Sequence, residues 1–319
     1  MKYKVLLGSW LFFIKVVASC GQNTPQTFPQ QLQTTKTNQH VRVLGTKVFG
    51  VFPAGYQFIK QLARYQKNDD LYLQVIESHT SSFEQGKAGF SRQAIEAKGA
   101  TVDVWESTRV NGYDAVYLEG PSKHAGETKI MLAFGDNTFI VMVAAVAKTA
   151  DKAGQTELKA VLQTIYYDRD WQLDPMELAN FSFDQTVTHF AYVSTTSNLF
   201  LYAENGKAEP GNMLANTIQI MPLPKMTADK DEEFAQKVLL GYERHGVAFA
   251  TKAITRTTIH SYPAFVLESK TTLQGREGVL YQALLVGENS NILFSGSAYQ
   301  DPHKYADLFK KTAETVKIN

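Results

Sequence analysis

Apolar and polar positions alternate through residues 46–52 and 71–76, the period-two pattern of strands half-buried on a sheet. Ser81 and Ser82 then precede Phe83, Phe90, Ala94 and Ile95, and the stretch stops at Gly99, predicting a capped helix. Strands are predicted at 102–110, 113–119, 129–134 and 138–144, with Asn111-Gly112 as the hairpin turn between the first two. An amphipathic helix over 151–165 closes the series. The same order then returns. Strands at 187–193, 199–203 and 217–221 lead to a helix over 229–245, capped by Thr227 and stopped by Gly246, with Phe234, Val238 and Tyr242 on one stripe. After further strands, Asp301-Pro302 supplies the N-cap and first residue of a last helix over 302–316.

The recurrence reaches individual residues. Tyr113, Ala115, Leu118 and Glu119 are answered 149 positions later by Tyr262, Ala264, Leu267 and Glu268. Gly135-Asp136-Asn137 is answered 152 positions later by Gly287-Glu288-Asn289. A repeat of this length predicts two domains in tandem rather than solenoid units, whose periods run to about 50 residues. The fold class expected is α+β, as two tandem copies of an α/β sandwich with helices packed on an antiparallel sheet. The copies are placed at residues 41–168 and 179–319.

The chain begins differently. Lys2 and Lys4 precede a short apolar stretch, 5–14, and small residues lead to Cys20, so residues 1–19 have the anatomy of a secretory signal peptide. Val17-Ala18-Ser19-Cys20 resembles the lipobox of bacterial lipoproteins, which implies lipidation of Cys20, the only cysteine. Lys15, just before the box, departs from that pattern. Residues 22–39 hold six Gln, five Thr, two Asn and two Pro, so 20–40 is expected to be a disordered tether. With 32 Lys+Arg against 31 Asp+Glu the net charge is +1, too little to draw in nucleic acid, and membrane contact is expected through the lipid anchor only.

Val48-Phe49-Gly50-Val51-Phe52-Pro53-Ala54-Gly55-Tyr56, the two Tyr-bearing hairpins, the Gly-Asp and Gly-Glu turns and the closing helices together resemble the PsbP-like family. The second copy lacks the Pro-x-Gly-Tyr of the first. The family includes extrinsic photosynthetic proteins, bacterial envelope lipoproteins of the DcrB type, and chaperones of type VI secretion effectors. The resemblance therefore implies a tandem envelope lipoprotein that binds other proteins, and it implies no shared catalytic residues. No Asp-rich run of the kind that directs surface export follows Cys20, so the periplasmic face is expected.

The chemistry-bearing residues agree with that expectation. No Gly-x-Ser-x-Gly elbow occurs, since Phe294-Ser295-Gly296-Ser297 lacks the first glycine. The histidines at 40, 79, 124, 189, 245, 260 and 303 have no metal-ligand spacing. Asp168, Asp170 and Asp174 lack the glycine of a calcium loop, and Ala179 stands where its glutamate belongs. No catalytic residue, metal ligand or cofactor is predicted. Tyr166, Tyr167, Trp171, Phe181 and Phe183 gather between the copies, either as glue or as a groove for a peptide or ligand. The expected function is non-enzymatic binding of an envelope protein or small ligand; the alternative is a hydrolase or other enzyme with an unrecognised site.

Overall fold

The computed structural model describes residues 28–122, 124–208 and 212–319. The first copy opens with β1 (Val41–Arg42) and β2 (Val48–Gly50). The strands β3 (Gln57–Ile59), β4 (Arg64–Asn68) and β5 (Leu71–Ser78) form a meander, followed by α1 (Phe83–Gly86) and α2 (Arg92–Glu96). Four more strands, β6 (Val104–Val110), β7 (Tyr113–Pro121), β8 (Glu127–Gly135) and β9 (Ile140–Lys148), lead to α3 (Lys152–Gln163). Then β10 (Tyr166–Tyr167) pairs back onto β2. The sheet is antiparallel in the order β3-β4-β5-β9-β8-β7-β6.

The second copy repeats the plan. It comprises β11 (Phe181–Ser182), β12 (Phe190–Thr196), β13 (Leu199–Glu204), β14 (Thr217–Pro224), α4 (Ala228–Arg244) and β15 (Ala248–Phe249). Next come β16 (Thr255–Ile259), β17 (Tyr262–Leu273), β18 (Arg276–Val286), β19 (Ser290–Ala298), α5 (Pro302–Ala313) and β20 (Lys317–Ile318). The order is β12-β13-β14-β19-β18-β17, with β15 and β16 both on β17, and β11 pairs β20 as β2 pairs β10. Two sheets of one strand order, each closed by the same short ladder, make this chain a tandem α+β protein.

Register refines the repeat. The pair Val110–Tyr113 matches Ile259–Tyr262 at an offset of 149, as the sequence predicts. One turn later Gly135–Ile140 matches Val286–Asn291 at 151, because the β17–β18 hairpin is longer than its counterpart by two residues. The structural match of Gly287 is therefore Asp136 rather than Gly135. Each donates its N–H across the turn, Asp136 to the Phe139 carbonyl at 3.3 Å and Gly287 to that of Ser290 at 3.1 Å.

Helices cover both faces of each sheet, which is why the inner strands read as continuous apolar runs. On one face Leu158, Val161 and Leu162 of α3, and Tyr305, Phe309 and Ala313 of α5, are sealed against the strands. Gly296 lets α5 approach, since a Cβ there would lie 2.3 Å from the Phe309 ring. On the other face Phe83 of α1 and Ala235 and Leu239 of α4 do the same.

Three expectations are corrected. The helix predicted from Ser82 to Gly99 is broken into α1, a 3-10 turn over Lys87–Phe90, and α2. Ser82 forms a capping box with Gln85 and Ser91 restarts the helix as a second cap, while Gly86 and Gly89 weaken the join. The strands β3 and β4 lie outside the stretches that alternate; β3 is only three residues long, and the charged Arg64 and Lys67 mask the pattern in β4. Residues 28–40 are not a free tether. Phe28 is 2% exposed and stacks on Tyr117 at 4.0 Å between centroids. Arg109 N–H donates to the Gln30 carbonyl (3.1 Å), Leu32 N–H to that of Arg109 (2.8 Å) and Asn111 N–H to that of Leu32 (2.8 Å). This strap runs parallel to the edge strand β6, whose backbone groups need partners. Cys20 and the signal peptide at 1–19 lie outside the described residues.

Candidate functional site

The five interdomain aromatics do not line one groove. Tyr167 is buried in the first copy, stacked on Phe139 at 4.4 Å. Phe181 and Phe183 turn into the second, edge-on to Phe200 (5.0 Å) and Tyr202 (4.9 Å). Tyr166 and Trp171 meet only across Phe49, at 6.4 and 5.4 Å. That last cluster already holds a cation. Lys36 of the strap sits 3.7 Å from the Phe49 centroid and 5.2 Å from that of Trp171, and pairs with Asp168 at 3.1 Å. Asp174 accepts from the Met176 N–H, so Asp168 and Asp174 serve separate local roles.

Between the copies a cavity of 240 Å³ is lined by Glu77, His79, Tyr192 and Leu178 among others. Glu77, at the end of β5, is 5% exposed and accepts from Tyr167 Oη (2.9 Å) and Lys47 N–H (2.7 Å), with His79 Nε2 at 2.8 Å. Burial, reinforced by the Glu77 carboxylate, pushes the Tyr167 hydroxyl well above its ordinary pKa. This arrangement locks the linker to the first sheet, and its imidazole spends Nε2 on Glu77. Among the described residues no three His, Cys, Asp or Glu side chains are grouped to hold a metal.

An apolar opening lies on the second sheet. Helix α4 lies over β17, β18 and β19, with Leu239 on Leu267 and Leu280 and Ala235 among Leu284 and Leu293. Met221 and Leu223 of β14 pack with Ala235 and Val238 of α4, whereas Leu199 of β13 and Gln219 of β14 line an opening beside the helix. The result is a groove of 450 Å³ lined by Leu199, Met213, Met221, Val238, Tyr242 and Leu293. A cavity of 350 Å³ shares its Met213, Gln219 and Tyr242 and continues it toward Tyr299. Met213 is 38% exposed. Methionine adapts to irregular apolar partners, and an open apolar recess on a protein surface is the usual mark of a binding site. Val238 and Tyr242 were legible as a helix stripe, but that the strand side of the stripe stays open depends on where α4 crosses the sheet.

No family model and no curated protein matches the chain. Among solved structures it is similar to LpqN of Mycobacterium tuberculosis, described as involved in cell envelope biogenesis. That match has 13% identity, 44% of this chain, 83% of LpqN and a TM-score of 0.30. The immunity protein TplEi of the Pseudomonas aeruginosa type VI system, complexed with an "L" peptide, matches at 9% identity over 89% of this chain and 99% of that one, TM-score 0.28. Cyanobacterial PsbP of Synechocystis matches at 10% identity over 48% and 100%, TM-score 0.26. A further match, from Bacteroides thetaiotaomicron, has 11% identity and a TM-score of 0.29 over 44% of this chain, which spans 45% of that protein's length.

Proposed function

We propose that this chain is a non-enzymatic lipoprotein of the bacterial cell envelope, anchored at Cys20, that binds a partner protein through its duplicated domains. The observation that carries the reading is the methionine-lined groove between α4 and the strands β13 and β14. Its walls offer mainly dispersion contacts, with Tyr242 and His245 the ionisable groups among its lining residues and no carboxylate beside them, a surface suited to gripping an apolar segment. The test is mass spectrometry of protein cross-linked in its native envelope, with Cys20→Ser and Met213→Lys/Met221→Lys variants. A partner retained by the wild type and lost from the double lysine variant supports the reading. A partner retained by both, or bound small molecules with no protein, overturns the groove as the protein-binding surface.

A second reading, a hydrolase, has one observation in its favour: the buried Glu77 carboxylate beside His79 in the cavity between the copies. Turnover abolished by His79→Ala, with the fold and partner binding intact, would establish it.

A further inference from the structure

The two copies differ at one edge. In the first, residues 28–34 lie as an added parallel strand along β6, with Phe28 and Leu32 packed into the core that α3 covers. In the second, the matching edge strand is β16, and the register makes the equivalence residue by residue. Thr108, Arg109, Val110 and Asn111 correspond to Thr257, Thr258, Ile259 and His260. Asn111 and His260 even share a positive φ, 49° and 58°. By this register the Thr258 N–H and C=O and the His260 N–H point away from the sheet, as do those of Arg109 and Asn111 that hold the strap.

Nothing described lies along β16, and Thr255, Arg256, Thr257 and Thr258 are all exposed. The chain that enters the second copy takes another route. Glu177 binds Arg42 and the Gly45 N–H (2.8 Å) of the first copy, so no strap reaches this edge. Beyond it, on the face that α5 covers, opens a cavity of 780 Å³ lined by Glu268, Lys270, Val279, His303 and Ala306. Glu268 is the counterpart of Glu119, which Lys159 of α3 pairs at 2.7 Å. Val266 stands where Tyr117 supports Phe28, leaving more room for a ring.

We infer that β16 is a peptide-docking edge, and that its occupant is an extended segment of a partner protein running parallel to it. The strap gives that segment's chemistry. It is uncharged over its docking residues, like the threonines it faces, with an aromatic and a leucine-sized residue four positions apart. An exposed strand edge supplies affinity through main-chain hydrogen bonds, and the side-chain recess supplies selection. This surface is distinct from the groove under α4 and stands whether or not that groove binds a protein.

The probe is a labelled peptide with the sequence of residues 26–36, titrated into the full chain and followed by anisotropy and by amide hydrogen exchange. Saturable binding is expected, with new protection at Thr258 and His260. Replacement of its Phe and Leu by Ala is expected to weaken it about tenfold or more. Thr258→Pro removes only an outward donor and is expected to abolish binding while β16 stays paired to β17. Hydrogen exchange on the unmodified chain decides the matter if that variant does not fold. The inference is overturned by no binding at about millimolar peptide, the weak end of specific recognition. Protection confined to Arg109 and Asn111, meaning exchange with the chain's own strap, overturns it too. So does concentration-dependent dimerisation through β16, which would make a second copy the occupant.

Discussion

Asp231 is 1% exposed in the first turn of α4, and its Oδ1 accepts from Asn291 Nδ2 at 2.6 Å. The Asn291 Oδ1 has no hydrogen-bond partner among the described residues. Burial raises the Asp231 carboxyl above its ordinary pKa, against the lowering effect of Asn291 and Lys225. A raised carboxyl favours the fold most below the unfolded pKa and loses that contribution as pH rises through the folded value. Asp231→Asn keeps an acceptor for Asn291 and adds a donor for its orphan oxygen. It is expected to stabilise the protein by about 1 kcal/mol at neutral pH, the gain shrinking as pH falls through the raised folded pKa and gone below the unfolded value of about 4, as read by denaturant unfolding. Glu177 has the opposite sign. Burial alone would raise it, but the Arg42 guanidinium, the Gly45 N–H and Lys60 outweigh burial and hold it below its usual range. Glu177→Gln should cost about 2 kcal/mol at neutral pH, a cost that disappears as pH falls through the lowered pKa. Pairs such as these were not legible in the sequence, because the partners are far apart in the chain: 60 positions for Asp231 and Asn291, 135 for Arg42 and Glu177.

Elements follow the local signals closely where those signals are complete. Asn111-Gly112 takes positive φ at both positions, 49° and 91°, as a two-residue hairpin turn requires, and the strands beside it stand where alternation placed them. The strap was hidden because its composition reads as disorder. Two apolar side chains four residues apart suffice to dock it, since β6 supplies the hydrogen bonds. A buried Phe→Ala change costs about 3–5 kcal/mol in a closed core. Here Phe28→Ala can cost no more than releasing the strap, so the sheet should stay folded. Faster hydrogen exchange at Leu32 and Asn111, with β8 and β9 unchanged, is the expected result. Loss of protection throughout the first copy would mean that the strap is part of its core.

At the scale of the molecule the two copies are coupled by more than a linker. Ala63, from the turn between β3 and β4, is buried in the core of the second copy, and Phe58 packs against both cores. Asn198 Nδ2 donates to the Gln61 carbonyl at 2.6 Å. One cooperative unfolding transition is therefore expected, with calorimetric and van't Hoff enthalpies equal. Ala63→Asp, which buries an unpaired charge at this contact, should split it into two. The duplication was legible because the spacing between matched hairpins changes by only two residues, from 149 to 151. The candidate groove was not, since it depends on which strands α4 leaves uncovered.

The strap also decides how the molecule meets mechanical load. It runs parallel to β6 and enters at Phe28, so a pull through the preceding chain, as an anchored N-terminus would apply, acts along the strand axis. The three main-chain bonds to Arg109 and Asn111 then bear the load together in shear. The Phe28–Tyr117 stack lies at the loaded end and is the first contact to feel it. Tension would be met at the rim of the first sheet before it reached either core.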